Sequence, residues 1–544
     1  MSTQNSHAQE PKIRESWTGQ TGFLLAAIGS AIGLGNIWRF PGVAYTNGGG
    51  AFLVPYLVAL VAVGIPMLWL DYAVGHKFRG SPPWALRRLK AIGEFVGWFQ
   101  VFVCFVILVY YGAVIAWAMQ YTVYSVSQAW GDDPAGFFVG SFLQSVDGSK
   151  ELSWEPVAAV AIPLALMWIF LLLVLSRGLS KGVETANKIF LPLLVVLFLI
   201  MVVRALFLPG AAEGLNAFFT PQWDSLGNPN VWLAAFAQIF YSLSVGFGIM
   251  LTYASYLKPK SNLTGTALVA GFANSSFEIL AGIGVFSAIG FMAMNQGVSV
   301  SELDGLTGPI LSFVTFPQII SAMPGGSLFG VLFFASLTLA GMTSLLSLLQ
   351  PVSGSLQDKF GLKPTTAALV CGVPATIISL VLFGTKSGLN NLDIVDKFIN
   401  EIGVVSSAIF LAVLAAVAAP RLRGLRQHLN SVSSVKVARL WEFLVGIIIP
   451  LVLAFMLFSS LVGLVSNGYD SYKPTYVLAF GWGCLAFVVI ASAVLTFIPW
   501  KPRTISAETV SSILESHSDD DEPVDEVAAE SPRAVSATEE GEVR

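Results

Sequence analysis

Five polar side chains in the long apolar segments of this chain are of one chemical kind. Asn36, Ser242, Asn274, Thr343 and Ser344 are all neutral groups carrying an oxygen. Two of them fall in stretches unfit for an uninterrupted helix. Residues 29–41 read GSAIGLGNIWRFP, with Gly29, Gly33 and Gly35 close together and Arg39 beyond them; residues 238–256 read QIFYSLSVGFGIMLTYASY. Each Gly in a helix interior costs about 1 kcal/mol relative to Ala. In hydrocarbon a broken helix persists only where protein or a water-filled cavity satisfies the freed backbone groups. Unwound backbone presents free N–H groups and a positive dipole end, which suit a carboxylate. Freed carbonyls and nearby hydroxyls are hard oxygen ligands, which suit a dehydrated alkali cation such as Na⁺. Any one of these side chains is more often a helix–helix hydrogen bond than an ion ligand. Periodicity alone does not decide between the two.

Catalytic chemistry finds no support. His7, His76, His428 and His517 lie in termini or expected loops, and no acid/base or metal cluster falls at membrane depth. Cys104, Cys371 and Cys484 sit far apart in apolar segments without pairing or metal spacing. Of the 544 residues 55% are hydrophobic and only 11% charged. Soluble domains carry about 25% charged residues, so this is a polytopic membrane protein. The net charge of −4 is an average over a basic body and an acidic C-terminal stretch rich in Asp and Glu after Pro502. The first apolar run begins near Trp17 and is too long for a signal h-region.

Taking about 20 apolar residues per span, twelve transmembrane helices are expected. They fall near 18–44, 51–76, 97–128, 157–176, 184–208, 231–257, 262–294, 328–357, 365–384, 396–419, 441–464 and 475–499. Placing the N-terminus inside gathers the basic clusters on the cytoplasmic side: Lys77, Arg79, Arg87, Arg88 and Lys90; Lys258 and Lys260; Arg421, Arg423, Arg426, Lys436 and Arg439. Both termini are then cytoplasmic. The two interruptions stand five helices apart, and paired breaks in corresponding halves point to a binding site between repeats. Because five is odd, the halves are related by inverted topology. The expected plan is a short N-terminal segment 1–17, five-helix repeats 18–208 and 231–419, two added helices within 441–499, and an acidic tail 501–544. That tail is polar and poor in aromatics, and reads as disordered.

The runs GSAIGLGNIWRFP, NGGGAFLVPY and GIPMLWLDYAVG resemble the neurotransmitter:sodium symporter family, as do GLSKGVETANKIFLP, ASLTLAGMTS and LLQPVSGSLQD. The resemblance runs from about Arg14 to Ala419 and implies an inverted-repeat core with helices 1 and 6 broken at the midplane. Carried over by position, it implies two sodium sites. One uses the Ala31 carbonyl, Asn36, Ser242, Asn274 and the substrate's own carboxylate. The other uses the carbonyls of Gly29, Ile32 and Ala340 with the hydroxyls of Thr343 and Ser344. The substrate carboxylate would meet the Leu34 and Gly35 backbone and the Tyr111 hydroxyl. The side chain would face Ile107, Tyr241, Ser244, Phe247, Ser344 and Leu348. Arg39 with Asp396 would close the outer side under a lid of Tyr111 and Phe247. Arg14 with Asp358, flanked by Trp17, Tyr256 and Gln350, would close the inner side.

Two further implications are specific. Members that carry monoamines place Asp at the position of Gly33, so the substrate here should keep its carboxylate and be a small neutral, apolar amino acid, with an aromatic one as the alternative. Glu278 stands where chloride-dependent members have a small polar residue, beside Tyr56, Gln238, Ser242 and Asn274. A fixed carboxylate there would balance Na⁺ and repel a second anion, making transport chloride-independent. It should take up a proton when the sodium leaves. The sequence is thus read as a Na⁺-coupled importer of the cell inner (plasma) membrane, not an enzyme, whose partners are substrate, Na⁺ and lipid. No nucleic acid is implied; a homo-oligomer or small accessory membrane subunit stays open. An ion channel would need a continuous polar pore, and a transport-deficient amino-acid sensor would keep the same site.

Overall fold

The protein is described from a computed structural model covering residues 15–146, 152–303, 305–417, 419–469 and 472–501. Among these residues the regular structure is helical, with only two isolated bridges between extended residues. The first span is a pair, α1 (Gln20–Ala31) and α2 (Gly35–Thr46), bent by 45° at residues 32–34. Then follow α3 (Gly50–Phe78), α4 (Gly93–Ser127), α5 (Ala158–Ser176) and α6 (Leu179–Leu206). A second interrupted pair comes next, α7 (Pro229–Ser242) and α8 (Ile249–Ala254). After it stand α9 (Leu263–Gln296), α10 (Gly326–Phe360), α11 (Pro364–Phe383), α12 (Gly388–Val417), α13 (Leu440–Ser466) and α14 (Pro474–Phe497).

Ten of these helices are individually long and apolar enough to span a membrane, and the bent first pair makes eleven. The sixth expected span is the pair α7 and α8, whose arms of 14 and 6 residues are each too short. Boundaries agree with the hydropathy reading to within a few residues except at α12, which starts eight residues early, at Gly388. That first part, GLNNLDIVDKF, is amphipathic rather than apolar, so a hydropathy window passes over it.

Burial sorts the helices into an inner and an outer set. The most apolar window of α4 is 83% buried, whereas those of α13 and α14 are 22% buried. The outer helices expose Leu451, Phe455, Phe458 and Val465, as lipid-facing surfaces must. The inner α4 and α10 pack along each other, and α1 lies against α6, α9 and α10. Short helices Pro82–Leu89, Ala211–Phe219, Phe316–Ala322 and Ala419–Val432 fill the connections. A buried ion pair, Lys359 Nζ to Glu94 Oε1 at 2.7 Å, joins α10 to α4.

Candidate functional site

The first break opens because two backbone donors leave the helical ladder. Ile32 turns extended (ψ 103°). The Gly33 N–H donates to Asn36 Oδ1 at 2.9 Å and the Leu34 N–H to the Tyr111 hydroxyl at 3.2 Å. The carbonyls of Gly29 and Ser30 thereby lose their helical donors. One wide turn over Gly35–Arg39 then resumes the helix, with Phe40 N–H reaching back to the Gly35 carbonyl.

The second break covers residues 243–248 and holds Ser244 at φ +53°, a strained setting for a side chain larger than Gly. Its backbone is satisfied by side chains from three helices. Gly246 N–H donates to Asp71 Oδ2 at 3.0 Å, while Gln100 Nε2 (2.9 Å) and Ser407 Oγ (2.7 Å) donate to the Gly246 carbonyl. Asp71, Gln100 and Ser407 were not among the residues expected from the sequence. An acid inside an apolar run (GIPMLWLDYAVG) was a signal for the first; the other two sit in ordinary helical patterns.

The breaks meet at a cavity of about 60 Å³. Every side chain expected to face the substrate lines it: Ile107, Tyr111, Tyr241, Ser244, Phe247, Ser344 and Leu348. Gly35 lines it too, and Leu34 is tied to it through Tyr111. Among the described residues no charged side chain is part of this lining. A Cβ on Gly33 would come within 2.8 Å of Ser344 Oγ and 3.1 Å of the Tyr111 hydroxyl, so the site has no room for an Asp there without repacking. A second cavity of about 220 Å³ adjoins it, sharing Tyr241, Asn400 and Val404 and adding Arg39 and Glu401.

The residues of the first expected cation site are joined. Asn36 Nδ2 donates to Asn274 Oδ1 at 2.8 Å, Asn274 Nδ2 donates to Ser242 Oγ, and Ala31 lines the same cavity. The second set also converges. Ser344 Oγ lies 3.5 Å from the carbonyls of both Ser30 and Ile32. Thr343 Oγ1 donates to the Ala340 carbonyl at 2.9 Å. Gly29 packs against Thr343: a Cβ there would stand 3.4 Å from the Thr343 Cβ. Glu278 is fully buried beside the first set. One oxygen accepts from the Tyr56 hydroxyl, the other from Gln238 Nε2 at 2.7 Å, and the Tyr56 hydroxyl also contacts Ser275 Oγ at 2.8 Å.

On one side of the cavity the Arg39 guanidinium lies over the Tyr241 ring, 4.7 Å from its centroid. Asp396 accepts from Asn400 Nδ2 at 2.8 Å. Among the described residues no ion pair within 4.0 Å joins Arg39 to Asp396. On the opposite side Trp17 is locked down, its indole N–H on the Tyr253 carbonyl at 2.8 Å and its backbone N–H on Tyr256 at 3.2 Å. Asp358 Oδ2 accepts from the Ser81 N–H at 2.7 Å. Arg14, its expected partner, lies outside the described residues, as does the acidic tail beyond Lys501.

The sequence matches the profile of the sodium:neurotransmitter symporter family over residues 14–135 and 132–502. It is 41% identical over 493 residues to an uncharacterized sodium-dependent transporter of Methanocaldococcus jannaschii, covering 90% of this chain and 98% of that one. It is 28% identical to the mouse sodium-dependent neutral amino acid transporter B(0)AT3, over 92% of this chain and 94% of the relative. Among solved structures, MhsT in complex with L-phenylalanine superposes with a TM-score of 0.68 at 29% identity, over 82% of this chain and all of that one. Two interrupted helices framing an uncharged cavity, and matches of this extent, lead to one assignment: the chain belongs to the sodium:neurotransmitter symporter family and is a multi-pass, sodium-dependent transporter rather than an enzyme.

Proposed function

We propose that this chain imports a neutral, apolar amino acid together with Na⁺ by alternating access, without requiring chloride. The observation that carries the reading is the uncharged cavity between the two breaks, whose lining combines the Tyr111 hydroxyl with the apolar Ile107, Phe247 and Leu348. The Leu34 N–H and the Tyr111 hydroxyl would bind the substrate carboxylate, and Ile107, Phe247 and Leu348 its side chain. A Lys or Glu substrate would have to bury an unpaired charge there, which costs several kcal/mol. Two Na⁺ would be carried, one at Ala31, Asn36, Ser242, Asn274 and the substrate carboxylate, the other at Gly29, Ile32, Ala340, Thr343 and Ser344. Glu278 would hold the compensating negative charge and take up a proton once Na⁺ departs, so that the empty carrier returns protonated. Residues 18–208 and 231–419 would act as inverted repeats, with both termini cytoplasmic in a plasma (inner) membrane. The inward potential then adds about 2.3 kcal/mol per charge per 100 mV to the drive.

The test is uptake of labelled leucine into proteoliposomes with and without an inward Na⁺ gradient, competed by the other amino acids and by a monoamine. Accumulation that needs the gradient and is competed by neutral amino acids supports the reading. Preferential competition by a monoamine, Lys or Glu sinks it. An aromatic substrate is the second reading, favoured by the L-phenylalanine bound in the MhsT structure; stronger competition by phenylalanine or tryptophan than by leucine would select it.

A further inference from the structure

A buried oxygen on α6 points at the first break and is not used by any role assigned above. Asn187 is fully buried. Its Nδ2 donates to the Val183 carbonyl one turn earlier at 2.9 Å, which fixes the amide's orientation. Its Oδ1 therefore faces the other way, and it finds no hydrogen-bond donor. That oxygen is aimed at Gly29: a Cβ built on Gly29 would lie 2.5 Å from Oδ1 and 3.4 Å from the Thr343 Cβ. The absent side chain at 29 is what lets the amide approach. The Gly29 carbonyl has in turn lost its helical donor, since the Gly33 N–H goes to Asn36. An unsatisfied buried carbonyl-type oxygen costs about 1–3 kcal/mol, so these oxygens are expected to share an electropositive partner. The surroundings are hydroxyl and carbonyl oxygens, which is a set for a hard cation rather than for a donor group.

We propose that Asn187 supplies a further oxygen ligand, from α6, to the cation held between Gly29 and Thr343. The proposal rests on the second sodium site of the proposed function and deepens it: this cation would be gripped by three helices, α1, α6 and α10, so its departure would free α6 as well. A buried water on Oδ1 is the competing occupant.

The experiment measures ²²Na⁺ binding to the purified full-length chain without substrate, where the first site lacks its carboxylate ligand. Na⁺-dependent thermal stabilisation in detergent is recorded alongside as a readout independent of transport. Asn187→Ala is expected to raise the half-saturating Na⁺ concentration about tenfold, the loss of one oxygen contact to a charge. Asn187→Asp, which keeps an oxygen, should bind Na⁺ at least as tightly as the parent. Should Asn187→Ala fold poorly, Asn187→Ser, which keeps a small polar group but not the reach, should show the same weakening. Thr343→Ala separates the two levels of the argument. If Thr343→Ala weakens Na⁺ binding and the Asn187 variants do not, the further ligand is refuted while the site stands. If Thr343→Ala also leaves binding unchanged, the site itself is refuted and the ligand with it.

Discussion

Glu278 is gripped at both carboxylate oxygens, by Tyr56 and by Gln238, next to the Asn36–Asn274–Ser242 chain. On the proposed function this carboxylate supplies the compensating charge in place of a free anion, so the parent should transport equally in gluconate and in chloride. Replacing it by Ser removes the charge but keeps a polar surface, and Glu278→Ser is expected to transport only when chloride is supplied. Uptake of the Ser variant that ignores chloride, or a parent that stops in gluconate, would overturn this assignment. Asn36 has a double task at the same place, since its Oδ1 holds the Gly33 N–H while its Nδ2 holds Asn274. Asn36→Ala frees a buried donor and deletes a proposed cation ligand together. Transport should drop at least tenfold and half-saturation by Na⁺ should rise, as read from initial rates across a Na⁺ series.

Among elements, the second break depends on a bracket of side chains that the helices bring from afar. Asp71 on α3 is the only acid in that bracket, and it satisfies a backbone N–H that the break has orphaned. Asp71→Ala should strand that donor at a cost of about 1–3 kcal/mol and lower the melting temperature in detergent. Asp71→Asn, whose amide oxygen can still accept, should recover most of the loss. A second joint lies at the end of a span, where His428 on the connecting helix Ala419–Val432 meets His76 in the last turn of α3, ring nitrogens 2.9 Å apart. Burial first, and then the cations of Lys77 and Arg79, push the His428 pKa down to about 4. The unfolded chain therefore binds this proton nearer pH 6.5 and the folded chain only near pH 4. Stability from this site is complete above about 6.5 and declines as pH falls toward 4. The parent should melt earlier at pH 5 than at pH 7, and His428→Gln should flatten that difference. An equal pH dependence in the variant would show that other groups set it.

For the whole molecule, the charge asymmetry of the loops supports the proposed orientation with both termini cytoplasmic. Lys260 and Lys473 are both exposed and lie on opposite sides under the positive-inside reading. A membrane-impermeant maleimide applied to intact cells should label Lys473→Cys and spare Lys260→Cys, with both labelled after lysis. Of the three parent cysteines Cys104 and Cys371 are buried and Cys484 is partly exposed, so labelling of the parent chain is subtracted as the background. The reverse pattern would overturn the proposed orientation.

Sequence alone determined the elements and the kinds of chemistry available. Hydropathy is a local property, so the spans of α3 to α6, α9 to α11, α13 and α14 emerged with their ends nearly right. The two Gly-rich stretches marked where helices 1 and 6 fail, because the cost of Gly in a helix is also local. Motif resemblance supplied the family and a set of expected substrate-facing residues that line one cavity. What the chain could not disclose by itself were partnerships between residues far apart along it. Asp71, Gln100 and Ser407 close around Gly246 only because α3, α4 and α12 pack there. Asn187 looks like an ordinary polar residue in a helix until α6 is laid against Gly29 and its amide oxygen is left without a donor. Whether a buried polar atom is satisfied depends on what the rest of the fold brings within about 3 Å of it. Only the packed tertiary structure decides that.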